Sequence, residues 1–473
     1  MTDTRARPTE ERRVITSRNP ATEEVLATFD PWSPDEVDTT IDQVREAQRQ
    51  WRALSMGERA DAMRRAAAIL RERTDRYAAL ITTEMGKPIS EARAEVAKSA
   101  FGCEHYAEHA ADYLRNRPVT TESLESYVSY TPLGVVLAIM PWNFPFWQVF
   151  RAGVPILMAG NGVVLKHASN VPQCALATEE VFRDAGFPEG LLRAVLVGGA
   201  ESDALVVDSR IAAVTLTGSS EVGAHVAGLA ATNLKKQVLE LGGSDPFVVL
   251  ADADLDAAAR VGARARNQNS GQSCIAAKRF IVESSVVDRF TDRLAEAVDA
   301  LVVGDPMRDE TEVGPLARAD LRDALERQVS ESVAAGAEIV TGGTAIDGRG
   351  YFYRPTVIGG TSASMPVIRE ETFGPVAAII PADDVDEAVR IANDSPYGLG
   401  ASVWTRNLER AKRIASAMEA GSVFVNGLVA SDPRMPMGGV KRSGYGRELG
   451  DHGIWEFTNI QTVRIQDSPG SDR

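Results

Sequence analysis

The chain has 473 residues and a formal net charge of −15, so nucleic acid and anionic membranes, both polyanionic, are poor partners for it. Hydrophobic residues make up 44% and charged residues 25%; this is an ordinary globular composition, long enough for about two to three domains. The three cysteines, Cys103, Cys174 and Cys274, stand far apart with no CxxC or Cys/His cluster. That spacing argues against structural zinc and disulfides and fits a reducing compartment.

Residues 1–13 mix arginines with Asp3, Glu10 and Glu11 and lack an apolar run, so no secretory leader is expected. Residues 1–57 are mixed in character and yield no firm element. Met63, Ala67, Leu70, Tyr77 and Ile81 then recur at helical spacing, predicting a helix that Gly86 and Pro88 stop. A second stripe, Ala92, Val96, Ala100, Cys103, Ala107, Ala110 and Leu114, predicts another helix and puts Cys103 in the core. His105 and His109 are spaced to share a metal but lie off that stripe and lack a third ligand, so a solvated face is expected.

A β-prone stretch follows at 126–131. Strands are then predicted at 135–140, 163–166, 194–197, 212–217 and 237–241, with helical segments between them. A second series runs through 247–250, 279–282, 338–340, 377–380, 401–404 and 422–425. Alternation of this kind implies an α/β fold with mostly parallel sheets. The apolar stretch 135–165 is broken by Pro141, Asn143, Pro145, Arg151 and Pro155, so it is not expected to span a membrane, and a cytoplasmic location is expected. Residues 438–473 are rich in glycine and charge, then strand-like at 462–465.

Several stretches carry candidate chemistry. In 267–279, Cys274 sits among small polar residues, with Gly271 letting the backbone approach a reactant. A cysteine reacts as thiolate, so its surroundings decide between a nucleophile and a small buried hydrophobe. Pro141-Trp142-Asn143-Phe144-Pro145 ends an apolar strand, where open α/β sheets bind ligands and an asparagine amide can donate to an oxyanion; a plain turn reads equally well. Lys166 and Ser169 follow the next strand. Thr217-Gly218-Ser219-Ser220 opens a helix whose N–H groups suit a phosphate, or Ser219 is an ordinary cap. Glu240 stands among apolar residues, which raises a carboxylate pKa and suits a general base. Glu371 and Phe373 offer a carboxylate for ribose hydroxyls and an aromatic face.

Taken in order, these motifs resemble the aldehyde dehydrogenase superfamily: Trp142 to Pro145, Leu165-Lys166, Thr217-Gly218-Ser219, Glu240 to Gly243, Gly271 to Cys274, Glu371 to Pro375, and Pro436 to Gly439. The stretches 393–400 and 443–448 fit as well, and the likeness is greatest to the shorter succinate-semialdehyde dehydrogenases. The resemblance implies a Rossmann-type cofactor domain (1–117 and 137–245), an α/β catalytic domain (246–438) and oligomerisation elements (118–136 and 439–473). It implies a homodimer or homotetramer acting on a small, carboxylate-bearing aldehyde. By it, Cys274 is the nucleophile, Asn143 the oxyanion donor and Glu240 the base for water. Trp142, Lys166, Ser169, Gly218, Ser219, Glu371 and Phe373 hold the cofactor.

Four positions depart from the family pattern. His167 replaces a common proline, and Ser169 stands where NAD-preferring members often have glutamate. Losing that repulsion of a 2′-phosphate implies NADP, with NAD still possible. Ala277 removes a second cysteine found near the nucleophile in some relatives. Gln268 replaces an arginine that binds substrate in some succinate-semialdehyde dehydrogenases. The remaining carboxylate clamp is then expected at Arg151, which is about two helical turns past Asn143 and matches a carboxylate-binding arginine of those enzymes. Trp147 walls the chain, and Ser431 adds a hydrogen bond. Four alternatives stand beside this reading: a dehydrogenase of another small aldehyde; acyl transfer to CoA, separable by assaying acid against acyl-CoA; a silent binding relative, which any aldehyde-dependent cofactor reduction rules out; and a plain thiol hydrolase, which would release acid or alcohol without any cofactor.

Overall fold

The computed structural model describes residues 14–466; the composition reading of residues 1–13 lies outside them. Two open α/β sheets dominate. The first has the order Gly444–Tyr445, Lys236–Glu240, Ile211–Thr217, Val135–Met140, Gly162–His167, Leu192–Ala194. All its pairs are parallel except the first. Every residue of Val135–Met140 is buried, as expected of a central strand covered by helices on both faces.

Chain order explains where a ligand goes. From Val135–Met140 the chain builds outward in one direction, through Gly162–His167 and Leu192–Ala194. It then returns to lay Ile211–Thr217 and Lys236–Glu240 on the other side. The direction reverses between Val135–Met140 and Ile211–Thr217, and loops leaving such neighbours part to form a crevice at the carboxyl ends. Those loops are 141–146 and 218–219.

The second sheet has seven strands, in the order Glu338–Thr341, Thr356–Gly359, Val376–Ala382, Ala277–Glu283, Asp245–Val249, Gly400–Trp404, Ser422–Val425. Only its first pair is antiparallel. Residues 241–244 join Glu240 at the carboxyl end of the first sheet to Asp245 at the start of the second. Cys274 lies just before Ala277–Glu283. The amino ends of the second sheet therefore face the carboxyl ends of the first across one cleft.

A small antiparallel sheet stands apart from both: Thr458–Ile465 pairs with Glu125–Pro132, and that with Arg117–Pro118. The segment between 439 and 457 is not part of it, since Gly444–Tyr445 closes the edge of the first sheet.

Several elements differ from the sequence expectation. The helix carrying Met63 and Tyr77 is two helices, Met56–Glu72 and Thr74–Met85, meeting at Arg73. Gly86 ends the second at φ 84°, a left-handed conformation natural to glycine. Residues 15–53 hold the hairpin Ile15–Arg18/Val25–Phe29 and the helix Pro34–Ala53. A reciprocal box between Ser33 and Glu36 starts that helix, a legible signal that the mixed composition masked. The strand expected at 194–197 is Leu192–Ala194. His105 is not on a solvated face: it is 6% exposed, with Nε2 3.1 Å from the Tyr113 hydroxyl. No metal-binding cluster occurs among the described residues. Cys103 is fully buried.

Candidate active site

The loop before Cys274, Gln268–Gly271, is kinked. Asn269 and Ser270 both take left-handed backbone, at φ 55° and 53°. Such strain persists only where contacts enforce it. Here the Asn269 amide donates to Glu91 (2.7 Å), Ser270 Oγ exchanges bonds with Gly314 (3.0 Å), and Gln272 Oε1 accepts from the Ala317 amide (2.9 Å). Gly271 also has positive φ, and a Cβ there would lie 2.4 Å from the Gly374 carbonyl. Gly271→Ala is therefore expected to lower stability by about 1–3 kcal/mol from overpacking alone. A reduced thermal midpoint, with activity reduced as Cys274 shifts, checks this; an unchanged melt contradicts it.

Cys274 opens partly onto the cleft, whereas Cys103 and Cys174 are buried. Desolvation pushes its thiol up to about 12, against the pull of the Arg151 and Lys278 charges. Lys278 lies beneath the loop, donating to the Cys274 and Gly243 carbonyls and to Glu371 at 2.7 Å.

Asn143 is 4% exposed. Its Nδ2 donates to the Gln272 carbonyl at 3.1 Å, which leaves one amide proton for a ligand. Its backbone carbonyl accepts from Asn269 Nδ2 (2.7 Å) and Lys87 Nζ (3.0 Å). Lys87 is paired with Glu95, both buried. Glu95 in turn accepts from the Phe146 and Trp147 amides at 2.8 and 2.9 Å, starting the helix Trp147–Met158. His167 braces the same loop. Its Nδ1 accepts from the Ala168 amide, so Nε2 carries the proton and donates to the Pro145 carbonyl, both at 2.9 Å. Burial holds that ring neutral, its pKa down at about 4. The histidine that departs from the family pattern thus fastens the asparagine loop.

Glu240 is 2% exposed, and its Oε1 has no hydrogen-bond partner among the described residues. Burial raises its pKa well above the carboxylate range; Arg151 opposes the shift and Glu448 adds to it. An unpaired, desolvated carboxylate beside a thiol has the chemistry of a general base.

Arg151 was expected as the carboxylate clamp, and the structure gives it other partners. It is 2% exposed, and its guanidinium forms a buried ion pair with Glu448 and donates to Thr217 Oγ1 at 3.3 Å. Pulling this guanidinium away would strand Glu448 unpaired and buried. The guanidinium charge also reaches both Glu240 and Cys274.

On the other side, a cleft of about 260 Å³ is lined by Pro141, Trp142, Asn143, Thr217, Gly218, Ser219, Leu241, Gly242, Cys274, Arg318, Leu321, Glu371 and Phe373. Trp142 and Phe373 meet edge to face at 5.6 Å. Glu371 is held by Lys278 and the Gly243 amide (3.1 Å). A Cβ at Gly242 would lie 2.5 Å from the free oxygen of Glu371, so the glycine keeps that carboxylate accessible. Ser219 caps Ser220–Thr232, turning a helix N-terminus toward the cleft. Lys166 pairs in register with Ile139; it is half-buried, with desolvation lowering its pKa. Ser169 is exposed just beyond it.

Trp147 and Ser431, expected near the substrate, do meet: the indole N–H donates to Ser431 Oγ at 3.1 Å. The sequence reading passed over Lys98, which donates to the same oxygen at 2.7 Å. It also missed Lys87, Glu95 and Glu448. Glu448 lies inside the quoted 443–448 motif, where its burial has no local signature.

Comparison with known proteins agrees with this geometry. The sequence pattern of the Aldehyde dehydrogenase family matches residues 7–463. A probable succinate-semialdehyde dehydrogenase [NADP(+)] of Synechocystis is 52% identical, over 95% of this chain and 99% of its own. The Escherichia coli succinate semialdehyde dehydrogenase [NAD(P)+] is 48% identical over 94% and 97%. Among solved structures, the succinic semialdehyde dehydrogenase of Streptococcus pyogenes in complex with NADP+ superposes with a TM-score of 0.93. It is 38% identical and covers 96% of this chain and 100% of its own. By sequence, fold and the order of its site motifs, the chain belongs to the aldehyde dehydrogenase family.

Proposed function

We propose that the protein oxidises succinate semialdehyde to succinate, taking NADP in preference to NAD. The observation that carries the catalytic reading is Cys274 and Asn143 lining one cleft, with the buried Glu240, whose Oε1 has no hydrogen-bond partner among the described residues, close enough for its charge to act on the thiol. The substrate and cofactor follow the relatives named above. The cleft offers a nicotinamide cofactor the Glu371 carboxylate, which Gly242 leaves accessible, and the helix N-terminus capped by Ser219, while Lys166 stands near the end of the strand two over from the one that leads into that helix.

Cys274 loses its proton to solvent water, and the thiolate sulfur attacks the aldehyde carbon as the carbonyl electron pair moves onto oxygen. The second Nδ2 proton of Asn143 and the Cys274 amide stabilise the oxyanion. When bound, the nicotinamide cofactor supplies the hydride acceptor that turns this adduct into a thioester. Glu371 and Phe373, with Trp142, hold the nicotinamide end, and Gly218, Ser219 and Lys166 the phosphate and adenosine end. Glu240 then takes a proton from water as its oxygen attacks the thioester, releasing the acid and the thiolate.

Ser169 supports the NADP preference. A glutamate here repels a 2′-phosphate, whereas the hydroxyl donates to one with Lys166 close by. Ser169→Glu is expected to shift preference toward NAD by about 1–3 kcal/mol, read as the ratio of kcat/KM for the two cofactors. A wild-type enzyme strictly specific for NAD refutes the argument.

A panel of aldehydes with each cofactor, scored for acid product, tests the whole reading; preference for butanal over succinate semialdehyde overturns the substrate. We assign the first sheet and its helices to cofactor binding, the second to catalysis, and the three-stranded sheet to a homodimer or homotetramer contact. The last rests on its forming a sheet of its own, unpaired with the two main ones, and on the exposed Ile460 and Ile465. We infer a cytoplasmic enzyme; no helix among the described residues is long and apolar enough to cross a membrane.

A further inference from the structure

Succinate semialdehyde carries a carboxylate, and the cations that could meet it are few. Arg151 is engaged by Glu448, and position 268 is glutamine. Beside Trp147, however, stands a cation with a different set of partners.

Lys98 lies on the helix Ile89–Tyr113. Its ammonium donates to Ser431 Oγ at 2.7 Å and sits 4.8 Å from the centre of the Trp147 ring. Trp147 Nε1–H donates to the same oxygen at 3.1 Å. With two donors on its lone pairs, the Ser431 hydroxyl has only its own proton left to offer. Lys98 has two further protons of its own. The acids nearby are occupied. Asp432 is held at two points by Arg434, at 2.9 and 2.6 Å, and Glu95 by Lys87 and two backbone amides. Three donors thus converge beside an apolar ring with no carboxylate of the protein bound to them. Glu95, one turn before Lys98 on the same helix, accepts from the Phe146 and Trp147 amides and so fastens this corner to the Asn143 loop.

We propose that Lys98, together with the Ser431 hydroxyl, binds the distal carboxylate of a short semialdehyde and sets the preference for carboxylate-bearing substrates. This rests on the substrate reading above. The Trp147 face packs the carbon chain, and the ammonium supplies the charge that Gln268 lacks.

The environment adds a signature. Desolvation first, then the Arg151 charge, lowers the Lys98 ammonium to about 8, while Asp432 and Glu95 oppose the shift. These are the charged groups facing it: Arg151 on Trp147–Met158, Asp432 with its Arg434 on the Ser431 loop, and Glu95 on its own helix. In the free enzyme the charge is present below about pH 8 and lost above it. Then kcat/KM for succinate semialdehyde falls through that range, and the value for butanal lacks this limb.

The test compares wild type with Lys98→Met, Lys98→Arg and Ser431→Ala, using succinate semialdehyde and butanal across the pH range. Lys98→Met is expected to lower the ratio of the two kcat/KM values about 10- to 100-fold, the range of a charged hydrogen bond. Most of the change should appear in KM for the semialdehyde. Lys98→Arg restores much of the ratio and removes the alkaline limb, and Ser431→Ala lowers the ratio severalfold. If the wild type prefers the semialdehyde but Lys98→Met keeps that preference, or loses both substrates equally, the assignment of Lys98 is wrong and the substrate reading stands. If the wild type has no such preference, the substrate reading itself falls and takes this inference with it.

Discussion

Replacing Cys274 with Ala is expected to abolish aldehyde oxidation, by a factor on the order of 10⁴–10⁶, while NADP still binds. The thioester forms on sulfur, and losing a nucleophile removes the covalent path altogether. No other cysteine can substitute. Cys103 and Cys174 are fully buried, and burial raises both thiols. The proposed cofactor residues Trp142, Ser219, Glu371 and Phe373 are untouched by the change, so titration calorimetry with NADP should give a nearly unchanged Kd. Substantial turnover by the alanine variant would remove the covalent mechanism.

Glu240→Gln is expected to fold and to acylate, then to stall. The amide keeps the size of the carboxylate but cannot accept the proton of the attacking water. Steady turnover should therefore fall by about 10²–10⁴, with the acyl-enzyme accumulating on Cys274 in mass spectra. In the wild type, burial holds the Glu240 pKa well above the ordinary carboxylate range. The base acts ionised, so deacylation rises with pH through that elevated pKa. When deacylation limits turnover, the acid limb of kcat belongs to Glu240 and disappears in the glutamine variant. A variant with normal rates, or a wild-type acid limb at ordinary carboxylate pH, would exclude Glu240 as the base.

Local pattern made most strands of both sheets legible. Runs such as Val135–Met140 are apolar throughout because helices cover both faces. The two-residue strand Gly444–Tyr445 had no such run: its place depends on pairing with Lys236–Glu240, more than two hundred positions earlier. The helix Pro34–Ala53 was hidden by its many polar positions, although its capping box was in plain view.

The same division runs through the site. The sequence by itself determined which groups can react. A thiol among small residues, an amide at a strand end and a carboxylate between apolar residues are local facts, and their motifs recur in order along the family. Only the tertiary structure decided what surrounds each charge. Arg151 reads in sequence as a free guanidinium one turn past Trp147, but in space Glu448 holds it and its field turns toward Glu240 and Cys274. Lys98 reads as an ordinary helix lysine until Ser431, 333 positions away, arrives beside it. The physical reason is common to both. Backbone conformation and turn chemistry are set by neighbours in sequence, whereas the burial, pairing and desolvation that fix a charge's role come from residues that meet only when the chain has folded.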